Sequence, residues 1–179
     1  GSNLFAGIIG GVFLSTDNGT SWTGVNTGLT KKAVHTLATS ANGAAGTNLF
    51  AGTNGGGVFH STNNGTSWTP VNSGLPANAF VIFLAVDSNG TGGTNLFAAT
   101  WSSGVSLSTN NGTSWTAVNA GLTNTDVNSI AVSHQGAGNT NLFVGTGGGV
   151  FLSTNDGSNW TVVNAGLAET DVWRLAVSP

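Results

Sequence analysis

One eight-residue phrase occurs four times along the chain: Ser15-Thr-Asp-Asn-Gly-Thr-Ser-Trp22, Ser61-Thr-Asn-Asn-Gly-Thr-Ser-Trp68, Ser108-Thr-Asn-Asn-Gly-Thr-Ser-Trp115 and Ser153-Thr-Asn-Asp-Gly-Ser-Asn-Trp160. The closing tryptophans stand 46, 47 and 45 residues apart. At that period each copy is one supersecondary unit, too small to bury an apolar face without a neighbour, so the units must stack into one continuous body. A single domain over residues 1–179, made of four repeats of about 46 residues, is the expectation.

Four short strands are predicted in each unit. In the second they are an A segment from Val34 to Thr39, a B segment from Asn48 to Gly52, a C segment from Gly57 to Ser61 and a D segment from Ser67 to Asn72. Each is rich in Val, Leu, Phe, Thr or Trp and bounded by Gly, Asn or Ser, as strands joined by turns are. No stretch carries a sustained 3.6-residue apolar period, so almost no helix is expected.

Four-stranded units repeated radially describe an all-β propeller, with A strands lining the centre and D strands at the rim. The chain opens on a B segment, Asn3-Leu4-Phe5, and closes on an A segment, Val172 to Val177. The first blade is therefore complete only when that last A segment pairs beside the first B segment, which also removes two exposed edges. Intramolecular closure has the higher effective concentration. The expectation is a four-bladed ring closed within one chain, with an eight-bladed ring from two strand-exchanged chains as the alternative. Ala38, Ala85, Ala131 and Ala176 would relieve crowding of four A strands at the centre.

The polar positions of this fold carry few charges. Only 5% of residues are charged, against roughly 25% in an average globular domain, and 29 glycines accompany the many Thr, Ser and Asn. A formal net charge of −3 is too small and dispersed to neutralise a phosphate backbone, which argues against nucleic acid as a partner. No apolar run approaches a membrane-spanning helix, and the opening residues do not read as a signal peptide. Without cysteine there is no disulfide framework and no thiolate metal site. His35, His60 and His134 fall in dissimilar places of their repeats, so no metal triad is expected. No cofactor motif is present; Gly55-Gly56-Gly57 lacks the following Lys-Ser/Thr and helix of a phosphate loop. Asn-Gly-Thr triplets at Asn18, Asn64, Asn89 and Asn111 fit the glycosylation sequon, but three of them belong to the repeated phrase.

The phrase resembles the Asp-box, the Ser-x-Asp-x-Gly-x-x-Trp (BNR-like) repeat of sialidases, sortilin-type receptors, oligoxyloglucan-cleaving glycosidases and photosystem assembly factors. The flanking Asn-Leu-Phe-Ala-Gly-Thr, Gly-Gly-Val-Phe and Val-Asn-x-Gly-Leu stretches are most similar to the bacterial extracellular branch of that superfamily. The resemblance covers essentially the whole chain and implies a propeller fold and a secreted or cell-surface natural parent. The box positions matched are Ser15, Asp17, Gly19 and Trp22; Ser61, Asn63, Gly65 and Trp68; Ser108, Asn110, Gly112 and Trp115; and Ser153, Asn155, Gly157 and Trp160. Only Asp17 keeps the acid, and Asn makes the same turn without charge, so the boxes read as structural hairpins rather than calcium loops. In that hairpin the Asp or Asn accepts a bond from backbone two residues on, Gly supplies positive φ and Trp packs over the turn.

Function is sought where the repeats differ. The B–C and D–A connections are expected on one face of the propeller. Three B–C loops are glycine-rich, but the third reads Ala99-Thr-Trp-Ser-Ser-Gly104 and places Trp101 where its siblings have Ile9, Asn54 or Gly147. The D–A connections hold most of the charge: Lys31 and Lys32, Asp126, then Glu169 and Asp171, with Trp173 and Arg174 entering the last A segment. Indoles beside carboxylates and amides compose a sugar-binding surface, because the ring stacks on apolar sugar edges while polar groups fix hydroxyls. The plainer alternative is that Trp101 and Trp173 plug the channel mouth.

Sialidase chemistry in this superfamily implies three arginines and a tyrosine nucleophile; Arg174 is the sole arginine and tyrosine is absent. A glycosidase pair could be drawn from Asp126, Glu169 and Asp171, but Asp126 and Asp171 occupy the same repeat position, just before Val127 and Val172, where a turn role serves equally. The sequence therefore points to a non-enzymatic binding or scaffold module for a glycan or a protein. The alternatives are a minimal, designed or excised propeller with no evolved ligand and, behind it, a glycoside hydrolase-related propeller.

Overall fold

The computed structural model describes residues 3–42, 46–88, 94–134 and 140–178. The sequon at Asn89 lies outside them. Among the described residues there is no helix, and the strands form four antiparallel sheets, each a blade. The first has three strands, β1 (Leu4–Ile8), β2 (Gly11–Ser15) and β3 (Thr23–Gly24). The second runs β4 (Val34–Asn42), β5 (Gly46–Thr53), β6 (Gly57–Ser61), β7 (Thr69–Pro70). The third is β8 (Val81–Ser88), β9 (Thr94–Thr100), β10 (Gly104–Ser108), β11 (Thr116–Ala117), and the fourth is β12 (Val127–His134), β13 (Thr140–Thr146), β14 (Gly149–Ser153), β15 (Thr161–Val162).

Consecutive residues such as Leu49, Phe50 and Ala51 are buried, not alternate ones. Both faces of an internal blade are thus covered, which requires a sheet packed on each side. Three apolar cores lie between successive blades. Val12, Leu29, Val34 and Phe59 fill the first junction, Phe50, Val81, Leu84 and Leu96 the second, and Phe97, Leu122, Val127 and Ile130 the third.

The C strand is where the sequence places it, while the D strands are shorter than expected. Only Thr69 and Pro70 of the Ser67–Asn72 segment belong to a strand. Beyond Pro70 one backbone bond follows, Val71 N to Val58 O at 2.9 Å, and the Asn72 side chain then accepts from Val58 N at 2.7 Å and donates to Gly56 O at 2.9 Å. Asn26, Asn119 and Asn164 accept equivalent bonds from Val12, Val105 and Val150.

Each box is a hairpin turn tied by its own side chains. Ser61 Oγ donates to Asn63 Oδ1 at 2.9 Å and accepts from Gly65 N, also at 2.9 Å. Asn63 Oδ1 accepts from the N–H of Ser67, four residues on instead of the expected two. Asp17, Asn110 and Asn155 make the same bond with Ser21, Ser114 and Asn159, so the Asn boxes fold as the Asp box does. Two successive residues take left-handed φ, Asn18 at 57° and Gly19 at 87°, as the Asn-Gly pair favours.

The tryptophans reach further than their own turns. Trp68, Trp115 and Trp160 are 3–4% exposed, and each indole N–H donates to a carbonyl of the preceding blade: Val25 O, Val71 O and Val118 O, at 2.7–2.8 Å. Their backbone N–H groups donate to Thr27, Ser73 and Ala120 of that blade. Gly28, Gly74 and Gly121, all at positive φ, admit this approach, since a Cβ on any of them would strike the tryptophan carbonyl. The box therefore locks blade to blade.

The expected pairing of the last A segment with the first B strand is not formed within the chain. β1 pairs with β2 alone, and residues 169–178 join no sheet. The last segment lies instead beside the fourth blade, where Val172 N donates to Thr146 O at 2.9 Å and Arg174 donates to Asn128 O at 3.2 Å. One chain is a four-bladed arc.

Candidate functional site

Each internal A strand begins with the same irregularity. The A–B register shifts between Val34 and Thr36, between Val81 and Phe83, and between Val127 and Ser129. His35, Ile82 and Asn128 are the residues left over, and a bulge of this kind re-aims its side chain. The repeat places Trp173 at the same position of the last A segment. All four line one cavity of about 450 Å³.

Two further sets of equivalent positions complete the walls. Phe80, Asp126 and Asp171 each precede the first valine of an A segment, and Trp101 and Gly147 are equivalent residues of the B–C loops. Val127 and Arg174 also line it. The B–C and D–A connections thus share a face, and the cavity opens there.

One wall is aromatic. His35 and Phe80 have ring centroids 4.7 Å apart at 49°, and Phe80 and Trp101 follow at 5.5 Å and 32°. The Trp101 N–H donates to Phe80 O at 3.0 Å, which pins the loop, and Ser102 turns it at φ 64°. Both singled-out indoles are accessible at the cavity: Trp101 is 59% and Trp173 65% exposed. On the other wall Arg174 donates to Asn128 O at 3.2 Å and Trp173 O at 2.7 Å, holding the tail against the fourth blade. Asn128 Nδ2 donates to Val172 O at 3.1 Å. The Asp126 N–H donates to Asn124 Oδ1 at 2.9 Å, so its local turn is capped while its carboxylate is exposed. Where Trp101 would have its sibling, Gly147 leaves room, with Asp171 Oδ1 3.9 Å from the position a Cβ would take.

Of the residues singled out from sequence, Trp101, Trp173, Arg174, Asp126 and Asp171 come together. Lys31, Lys32 and Glu169 are exposed and do not line the cavity; the Lys31 stem lies against Gly56. His35 and Phe80 were missed as site residues, although their repeat positions equal those of Trp173 and Asp171. Among the described residues no group of three or more His, Cys, Asp or Glu is placed to hold a metal.

Sheets, repeats and inter-blade locks give the chain a β-propeller fold built from four repeats. No family model and no curated protein matches it. Among solved structures it is similar to an ancestral GH74 enzyme, with 26% identity and a TM-score of 0.69 over 90% of this chain and 22% of that one. The GH74 enzyme of Niastella koreensis is 27% identical, with a TM-score of 0.58 over 86% of this chain and 22% of that one. The extracellular domain of a one-component system of B. thetaiotaomicron is 15% identical and shows the fold alone, with a TM-score of 0.72 over 97% and 23%. The chain thus spans less than a quarter of the length of these structures. Enzymes and sensor domains both occur among them.

Proposed function

We propose that the chain is a non-enzymatic binding module of an extracellular protein, and that the cavity takes a saccharide. The observation that carries this is the aromatic row His35–Phe80–Trp101 facing a cavity whose other lining residues include Trp173, two carboxylates and an amide. Rings in series offer flat apolar faces to successive sugar units, while Asp126, Asp171 and Asn128 accept from or donate to hydroxyls. About 450 Å³ lies within the range of small-ligand pockets. The neighbour described as an extracellular domain supports an extracellular setting.

The test is a glycan array followed by calorimetry on the best ligand. Trp101→Ala and Trp173→Ala should each weaken binding at least about fivefold, by analogy with the loss of an aromatic stacking partner worth about 1–3 kcal/mol. Undiminished affinity in both variants would remove the site. Because Asp126 and Asp171 line the same cavity, hydrolysis is the second reading. Release of reducing ends from the bound oligosaccharide, abolished by Asp171→Asn, would replace the binding reading with it.

A further inference from the structure

Among the described residues, nine of the ten large apolar side chains left exposed lie in the first blade or from the fourth blade's D strand onward: Leu4, Ile8, Ile9 and Trp22 at one end, Val162, Val163, Leu167, Trp173 and Val177 at the other. Trp101 in the cavity is the tenth. Ile9 and Val162 stand at positions exposed in every blade, but Leu4, Ile8, Trp22, Val163 and Leu167 stand at positions that the three internal junctions bury wholly or in part.

Trp22 is 41% exposed, whereas its three counterparts are 3–4% exposed against the preceding blade. At the far end, Leu167 is 45% exposed while its counterparts Leu29 and Leu122 are 3% and 6%. Gly166, at φ 87°, has open space where Gly28, Gly74 and Gly121 receive a tryptophan carbonyl. The head of the arc thus carries the tryptophan half of a junction, and the tail carries the valine, glycine and leucine half. The strands match as well. β1 has a free edge, and residues 172–177 supply an A segment without a B strand.

We propose that a second copy of this chain occupies both surfaces, tail to head and head to tail, and closes an eight-bladed ring by exchanging the two terminal segments. In one chain β1 pairs with β2 alone and residues 172–177 join no sheet, so both surfaces are open to a second copy. Propellers typically hold four to eight blades, and each added copy brings four, so two copies are the next ring that closes. A head-to-tail contact that closes generates a finite ring, and one that does not generates a filament. The registers of the internal blades fix that of the seam: Val172 opposite Ile8, Arg174 opposite Gly7, Leu175 opposite Ala6, Ala176 opposite Phe5 and Val177 opposite Leu4, with Trp173 as the bulge residue. Trp22 Nε1–H then donates to Val163 O of the second copy, as Trp68 does to Val25 O. The seam runs past the cavity wall formed by Trp173 and Arg174. There the second copy brings Ile9 to the loop position that Trp101 holds in the third blade.

Two measurements test this. Light scattering on the size-exclusion peak of the unmodified chain should give twice the mass of one chain; a one-chain mass, or a ladder of larger species, overturns the proposal. The chain lacks cysteine, so cross-links are unambiguous. Leu4→Cys and Val177→Cys, made in separate chains, mixed after unfolding and refolding and then oxidised, should give a reducible heterodimer, because those positions face one another across the seam. No heterodimer, or a doubly substituted chain that bridges only within itself, overturns it. The outcome is independent of whether the cavity binds sugar.

Discussion

Asp17 is the carboxylate at the third position of its box, where the other three boxes carry Asn, and its environment is complete. The Ser21 hydroxyl donates to Oδ2 at 2.6 Å, while the Ser21 N–H and the Ser15 hydroxyl donate to Oδ1 at 2.9 and 2.8 Å. Those donors, the Ser21 hydroxyl foremost, lower its pKa from 3.8 to about 2. A carboxyl that titrates lower when folded stabilises the fold fully above its unfolded value and loses that contribution as pH falls through the folded one. Asp17→Asn should leave denaturation midpoints at neutral pH almost unchanged, since Asn63 accepts the same N–H bond and reverses the hydroxyl bond by donating to Ser67 Oγ, and should remove the part of the stability loss that falls between about pH 4 and about pH 2. Denaturant titrations of both chains across that window check it. An unaltered acid profile would mean that this turn is not coupled to folding. His60 follows the opposite chemistry of the same linkage: it stacks on Phe50 at 4.7 Å and bonds Asn48 Oδ1 at 2.8 Å, and burial lowers its pKa.

At the scale of the element, the tryptophan and the blade before it form one unit. Trp68→Ala removes a buried indole and its bond to Val25 O, and should cost about 3–5 kcal/mol, the range of large-to-Ala core substitutions. Trp115→Ala should match it, as the geometry repeats. Equilibrium unfolding in urea measures both, and a loss well under 1 kcal/mol would mean that the blades do not rely on this lock. Most of this level was legible. The Gly and Ser that bound Gly57–Ser61 mark a strand whose limits the structure reproduces, and the box predicts its own turn. The two-residue D strands were not legible, because Thr69–Pro70 and the stretch after it differ in what their backbone bonds to, not in composition. Nor was the full cavity. Repeat comparison picks out residues that depart from their siblings, which found Trp101, Asp126 and Asp171. A bulge is a property of backbone register and carries no composition, so His35 looked like background. The same comparison overvalued Lys31, Lys32 and Glu169, whose departures from the repeat lie away from the cavity.

For the whole molecule, stability and assembly become one quantity if the ring is closed by exchange. A species that is folded only as a pair melts at a temperature that rises with protein concentration. Thermal unfolding at concentrations spanning a hundredfold should therefore shift upward with concentration in the unmodified chain. Trp22→Ala, which removes the tryptophan half of the seam, should lower the melting temperature most at the dilute end. A concentration-independent melt in both would place the seam outside the folding equilibrium.

The tryptophan-to-carbonyl lock has a consequence for how such chains change length over generations. Every internal junction is made by the same few atoms, Nε1 and N of one tryptophan against two carbonyls about 43 and 41 residues earlier. An in-frame duplication or loss of one 46-residue unit leaves the tryptophan lock of each remaining junction unchanged, so selection would see such an event at the two ends and in the cavity rather than in the locks. Copy number is thus the trait this architecture leaves most open to drift, and the closing surfaces are where a lineage would have to settle it.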